Sequence, residues 1–138
     1  MTGIYQHSID AKGRLFIPAR LRDELGEVFY VTLSSENCLW AHSPASWERM
    51  MGKINAMTST QQKGIRPLLS HAQKCDLDGQ GRISLNKPLR DSVGLKSNVT
   101  VVGVGERAEF WDSDTWNAID AVEATPENIA KVFMELDF

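Results

Sequence analysis

Two short stretches of the chain, Asp10-Ala-Lys-Gly-Arg14 and Asp78-Gly-Gln-Gly-Arg82, share the pattern Asp-x-x-Gly-Arg. They open a longer correspondence. Leu15 matches Ile83, Ile17 matches Leu85, Leu21 matches Leu89, Arg22 matches Arg90, Asp23 matches Asp91, Leu25 matches Val93 and Gly26 matches Gly94. Val31-Thr32 matches Val99-Thr100, and after a one-residue slip Ser46-Trp47 matches Thr115-Trp116. A register held from Asp10 to Trp47 marks a duplicated unit, and a repeat constrains a fold more than any local motif does. The chain divides into a first repeat over 5–53, a linking helical segment over 54–72, a second repeat over 73–122 and a C-terminal amphipathic helix over 123–138.

Each repeat has a readable local plan. Asp and Gly bracketing two residues is turn chemistry: the carboxylate accepts backbone N–H bonds and glycine supplies a positive φ. Alternation on both sides makes each Asp-x-x-Gly-Arg the tip of a hairpin, with its arginine opening the return strand. Gly13 and Gly81 are the turn glycines; Asp10 and Asp78 hold the loops. In "IPARLRDELG", Pro18 suits a first helical turn, Leu21 and Leu25 share a face, and Gly26 fits the C-terminal cap. "LNKPLRDSVG" repeats that plan. Strand-forming runs follow, and then a helix opened by Ser43-Pro44, with Trp47, Met50, Met51, Ile54 and Met57 on its apolar stripe. A unit this small buries its apolar faces poorly alone. The expected fold is therefore α+β, mainly β: two tandem β–α–β–β repeats completing one barrel-like core with pseudo-two-fold symmetry and packed helices.

Between the repeats, "RPLLSHAQK" places Pro67 where a helix should kink or begin a new turn. His71, just after it, is read as a cap or as the partner of a core polar group. In the tail, Thr125 is the expected N-cap and Pro126 the first helical residue. Ile129, Val132, Phe133 and Leu136 form a stripe that packs either on the chain's own core or on a neighbouring copy.

The chain of 138 residues carries a net charge of −3, which does not advertise nucleic-acid binding. Its distribution does. Residues 1–105 sum to +4 and residues 106–138 to −7. That asymmetry is the mark of a basic binding face with an acidic flank, or of an unevenly charged solvated surface. The start lacks the layout of a signal peptide, and no apolar run reaches the roughly 20 residues of a membrane span, so a soluble cytoplasmic protein is expected. Cys38 and Cys75 lie in no CxxC pair and are read as small buried hydrophobes. His7, His42 and His71 are scattered without ligand spacing, so neither a metal nor a cofactor is expected. Cys38 and His42, like His71 and Cys75, are four residues apart, but no glycine-rich nucleophile turn, P-loop or dinucleotide fingerprint accompanies them. The chain is read as a non-enzyme with no small-molecule ligand evident.

"HSIDAKGRLFIPARLRDELG", "SHAQKCDLDGQGRISLNKPLRDSVGL" and the following "FWDSDTW" resemble the MraZ family of transcriptional regulators over nearly the whole chain. Where family members tend to read "RLLLGHASE", this chain has "RPLLSHAQK". The resemblance implies a SpoVT/AbrB-type, swapped-hairpin fold. It implies a ring-shaped homo-oligomer on double-stranded DNA. It also implies repression of the chain's own division and cell-wall operon through short direct repeats, and a nucleoid-associated location. Carried onto this sequence, the DNA-binding motif falls on Asp10 with Arg14 and on Asp78 with Arg82. Arginine suits that role, because its planar fork binds guanine edges or clamps phosphate. The aspartates, repelled by phosphate, orient the loops. Lys12 adds a cation at the first tip, where the second has Gln80. Arg20, Arg22, Lys87 and Arg90 extend the basic face or form surface pairs; both roles stay open. An AbrB-like antitoxin with a protein partner is the alternative function, and two fused repeats speak against it.

Overall fold

The computed structural model describes residues 1–138. The first repeat supplies β1 (Ile4–Ser8), β2 (Arg14–Phe16), α1 (Ala19–Leu25), β3 (Val28–Leu33), β4 (Leu39–His42) and α2 (Pro44–Asn55). Helix α3 (Ser59–Ser70) links the repeats. The second repeat supplies β5 (Gln73–Asp76), β6 (Arg82–Ser84), α4 (Lys87–Ser92), β7 (Asn98–Val104), β8 (Arg107–Asp112) and α5 (Ser113–Glu123), and α6 (Pro126–Glu135) follows. No helix is long and apolar enough to cross a membrane.

Six strands form one antiparallel sheet in the order β1-β7-β8-β4-β3-β5, and β2 and β6 form a separate ribbon. The order reads the same from either end once the repeats are exchanged. Strand β1 of the first repeat pairs with β7 of the second, and β5 of the second pairs with β3 of the first. The repeats thus trade their first strands. In the ribbon, Leu15 lies opposite its own counterpart, Ile83, which places a pseudo-two-fold axis between them. Trp40 opposite Glu109 marks the same axis in the sheet.

The core follows from that exchange. One cluster of 18 buried residues draws on both repeats, including Leu15, Ile17, Leu21, Leu25, Phe29 and Val31 with Ile83, Leu85, Leu89, Val99, Val101 and Phe110. Neither repeat keeps a core of its own there. Alternation decides what enters: Leu15 and Ile83 are fully buried, while Arg14, Phe16, Arg82 and Ser84 face outward on the other side of the ribbon. Helix α2 covers β3 and β4, with Trp47 stacked on Tyr30 at 4.3 Å between ring centroids. On α5, Trp116 packs against Trp111 of β8 at 5.8 Å.

Local signals set the helix ends. Ser43 accepts a hydrogen bond from the Ser46 N–H, Asn86 from the Leu89 N–H and Thr125 from the Asn128 N–H. Thr58 and Gln61 form a reciprocal capping box at the start of α3. Pro18 stands one position outside α1, as its cap, and Gly26 closes that helix with φ +80°.

Two expectations change. The repeats do not align through β3 as Val31 with Val99. Phe29 faces Cys75 as Val99 faces His7, and His7 and Cys75 are counterparts, so Phe29 is the equivalent of Val99 and Val31 of Val101. The cause is two extra residues between Gly94 and β7, which local matching of Val-Thr with Val-Thr conceals. Second, α3 runs through Pro67 as one helix. Pro67 sits in the last turns of a helix with no buried residue, so the Lys63 carbonyl it leaves unbonded can meet water. Of the two places expected for the α6 stripe, the chain's own core is not the one taken: α6 buries none of its residues, and Ile129, Val132, Phe133 and Leu136 are about half exposed.

Candidate functional site

The two tips are built alike. Asp10 Oδ1 accepts from the backbone N–H of Lys12 at 3.0 Å and of Arg14 at 2.9 Å. Asp10 Oδ2 accepts from Arg14 Nε at 2.6 Å. At the second tip, Asp78 Oδ1 accepts from the N–H of Gln80 and of Arg82, both at 2.9 Å, and Oδ2 accepts from Arg82 Nε at 2.9 Å. The Gly13 and Gly81 N–H groups close each turn on the aspartate carbonyls, with φ +78° at both glycines. That φ is the left-handed region where a side chain costs about 1–2 kcal/mol. The backbone N–H of Arg14, ahead of its guanidinium, holds the Asp10 carboxyl below the usual carboxylate range. Arg82 does the same for Asp78. Each aspartate therefore stays charged, shapes its loop and fixes the Nε edge of its arginine.

The rest of each guanidinium is free: the terminal nitrogens of Arg14 and Arg82 have no acceptor within the protein. The ribbon register brings the two arginines onto one face. Arg14 pairs with Ser84, and Arg82 lies two residues along the same strand. Diagonal neighbours of this kind stand about 7–8 Å apart, so the two forks share one outward surface. They differ in surroundings. Arg82 Cζ lies 6.0 Å from the Phe16 ring centroid, and Phe16 in turn packs near His7. The counterpart of Phe16 is Ser84, so Arg14 has no such wall. Accordingly the Arg14 side chain is 34 % exposed and Arg82 19 %.

The outer cations fall into three kinds. Lys12 and Arg20 are exposed. Lys87 pairs with Asp91 on the surface of α4 at 2.7 Å. Arg22 and Arg90 take up positions of another sort. Arg22 Nε donates to the Ile17 carbonyl at 2.7 Å and Arg90 Nε to the Leu85 carbonyl at 3.1 Å. Neither forms an ion pair with a carboxylate, and each guanidinium lies against the turn glycine of the other repeat. All seven candidate cations lie on the two turn–ribbon–helix segments, whereas α5 and α6 carry five acids and one lysine.

Sequence reasoning passed over Phe16 and the crossing of Arg22 and Arg90. Phe16 was legible: an aromatic between Leu15 and Ile17 on a strand points outward. The crossing was not, because it depends on which repeat the ribbon partner comes from.

Neither cysteine is poised for chemistry. Burial pushes the Cys38 and Cys75 thiols up to about 12. His42 bonds Thr32 Oγ1 through Nε2 at 2.8 Å, and burial lowers it to about 4, so it is a neutral core group.

A family model described as "MraZ protein, putative antitoxin-like" matches residues 1–64 and again 68–132. A protein named "Transcriptional regulator MraZ" from Carboxydothermus hydrogenoformans is 39 % identical over 137 residues, 96 % of either chain. One of the same name from Ligilactobacillus salivarius is 37 % identical over 139 residues, covering 98 % of this chain and 97 % of the relative. A third, from Alkaliphilus metalliredigens, is 41 % identical over 117 residues, 83 % of this chain and 82 % of the relative. Two matches of one family model, falling on the two repeats, with relatives alike from end to end, establish that this chain belongs to the MraZ family.

Proposed function

We propose that the chain is a DNA-binding transcriptional regulator whose two tips meet the duplex together. One observation carries this reading: Arg14 and Arg82 stand on one face of the β2–β6 ribbon, each fixed through Nε and each with its terminal donors unspent. A fork held at one edge and open at the other is suited to a guanine edge or a phosphate. Lys12 and Arg20 add phosphate attraction around it. The relatives' name, transcriptional regulator, agrees with the chemistry.

The finer reading follows from the geometry and the family. The exchange of first strands between repeats supports the swapped-hairpin, SpoVT/AbrB-type description of the fold. Two tips per protomer bind weakly, and several protomers on one duplex gain avidity. A ring of copies reading short direct repeats upstream of its own operon, and repressing it, uses that gain. The exposed apolar face of α6 supports a neighbouring copy as its partner. The protein then acts in the cytoplasm, on the nucleoid.

Binding to a labelled duplex from upstream of its own gene tests the reading. Against a shuffled duplex of equal length, the upstream sequence binds more tightly. Affinity falls with salt, the logarithmic slope growing by about 0.9 per phosphate engaged. Equal affinity for both duplexes, or a flat salt response, overturns the proposal. Co-purification of an unrelated small protein on α6 would favour the antitoxin reading instead.

A further inference from the structure

Each tip is held by its own aspartate on one side. What holds the other side comes from the other repeat. The Gly81 carbonyl accepts the Ile17 N–H at 3.0 Å, and the Ile17 carbonyl accepts Arg22 Nε at 2.7 Å. Arg22 then lies flat against Gly81, so close that a Cβ there would overlap its guanidinium. The second side mirrors the first. The Gly13 carbonyl accepts the Leu85 N–H at 2.9 Å, and the Leu85 carbonyl accepts Arg90 Nε at 3.1 Å. A Cβ on Gly13 would stand 2.6 Å from the Leu85 carbonyl oxygen and 3.1 Å from Arg90 Cζ. Glycine is thus needed twice at each tip, for its φ and for the approach of the other repeat: the Arg22 guanidinium at Gly81, and the Leu85 carbonyl with Arg90 close by at Gly13.

We infer that Arg22 and Arg90 are crossed positioning residues: Arg22 sets the DNA tip of the second repeat and Arg90 that of the first. The inference rests on the DNA role proposed above for the tips. Its physical content is a chain of three residues, arginine to Ile17 or Leu85 to glycine, that ends one residue before the reading arginine. Gly81 precedes Arg82 and Gly13 precedes Arg14, so a shift of either glycine re-aims the fork that follows it. The crossing also ties the two tips into one frame. Neither repeat can present its arginine correctly without the helix of the other, although the two Asp-x-x-Gly-Arg loops are locally complete. A fork misplaced by an ångström loses its bidentate geometry.

Double-mutant cycles on binding to the labelled upstream duplex test this, with thermal unfolding confirming that each variant is folded. Arg22→Ala should weaken binding about tenfold, the order set by one lost bidentate contact. The partner of the loss is the diagnostic. Combined with Arg82→Ala, it should add little, giving a coupling of about threefold or more. Combined with Arg14→Ala, the two losses should multiply. Arg90→Ala should show the opposite pairing. Arg22→Lys keeps the charge but not the flat fork, and should stay defective; it also serves if Arg22→Ala does not fold. If Lys restores parental affinity, or if the Arg22 and Arg82 losses multiply, Arg22 contacts phosphate directly and the inference is overturned. If Arg14→Ala and Arg82→Ala both bind as the parent does, the DNA role of the tips fails first and the inference falls with it. Losses at Arg14 and Arg82 without coupling to Arg22 or Arg90 remove the crossing alone.

Discussion

Truncating Leu15 to alanine asks whether the repeats share one core or merely touch. Leu15 is fully buried, lies opposite Ile83 on the pseudo-two-fold axis and forms a bridge with Ile9. Its neighbours come from both repeats, so the hole it leaves cannot be closed by one of them. A leucine-to-alanine change at such a site costs about 3 kcal/mol, transfer and cavity together. For a domain of this size that corresponds to a fall of about 10 °C in Tm. Against a total of about 5–15 kcal/mol the variant still folds. The assay is urea unfolding followed by far-ultraviolet circular dichroism and by tryptophan fluorescence. Protein concentration is held constant, because association shifts apparent stability. Trp47 and Trp116 sit one in each repeat, and Trp40 and Trp111 meet at the seam between them, so the fluorescence reports both repeats together. The expected result is one transition, moved to lower urea by the same amount in both probes, with unchanged slope. Two resolved transitions, or shifts that differ between the two probes, would refute the shared core.

Three further outcomes follow from buried groups and from the exposed tail. His42 is lowered to about 4, so the unfolded chain binds its proton first as pH falls. Stability should therefore be full above about pH 6.5 and decline by about 3 kcal/mol towards pH 4, a slope that His42→Gln flattens in pH-dependent urea melts. Cys38 and Cys75, buried and pushed up to about 12, should resist alkylation by iodoacetamide at pH 8 in the native protein and react once urea unfolds it. Removing residues 125–138 takes away the exposed stripe of α6 and should reduce the number of copies per particle measured by light scattering, whereas an unchanged number of copies excludes α6 from contacts between them.

What could be read in advance was what depends on near neighbours in the chain. The Asp-x-x-Gly-Arg tips could be read because two carboxylate oxygens, two nearby N–H groups and one positive φ decide the turn. Caps at Ser43 and Thr125 were legible for the same reason. The outward face of the ribbon followed from period-two alternation. What stayed hidden depends on which repeat meets which. Strands β1 and β5 pattern alike whether they pair at home or across, so the exchange carries no local mark. The slip before β7 was masked by Val99-Thr100, which mimics Val31-Thr32 while occupying another register. Arg22 and Arg90 look like free helix-surface cations until the ribbon brings a glycine beneath each one. The apolar stripe on α6 is legible in the sequence, but what covers it is not.

The DNA-facing role of the two tips is decided by one comparison. Binding of the upstream duplex is measured for the parent, for Arg14→Ala and for Arg82→Ala, at one fixed salt concentration and with folding verified for each. Both variants should lose affinity, each by about tenfold or more if one bidentate contact goes. Loss of the Arg14 or Arg82 fork leaves the core cluster untouched, so Tm should stay near the parental value. Parental affinity in both folded variants would contradict the assignment of the tips to DNA.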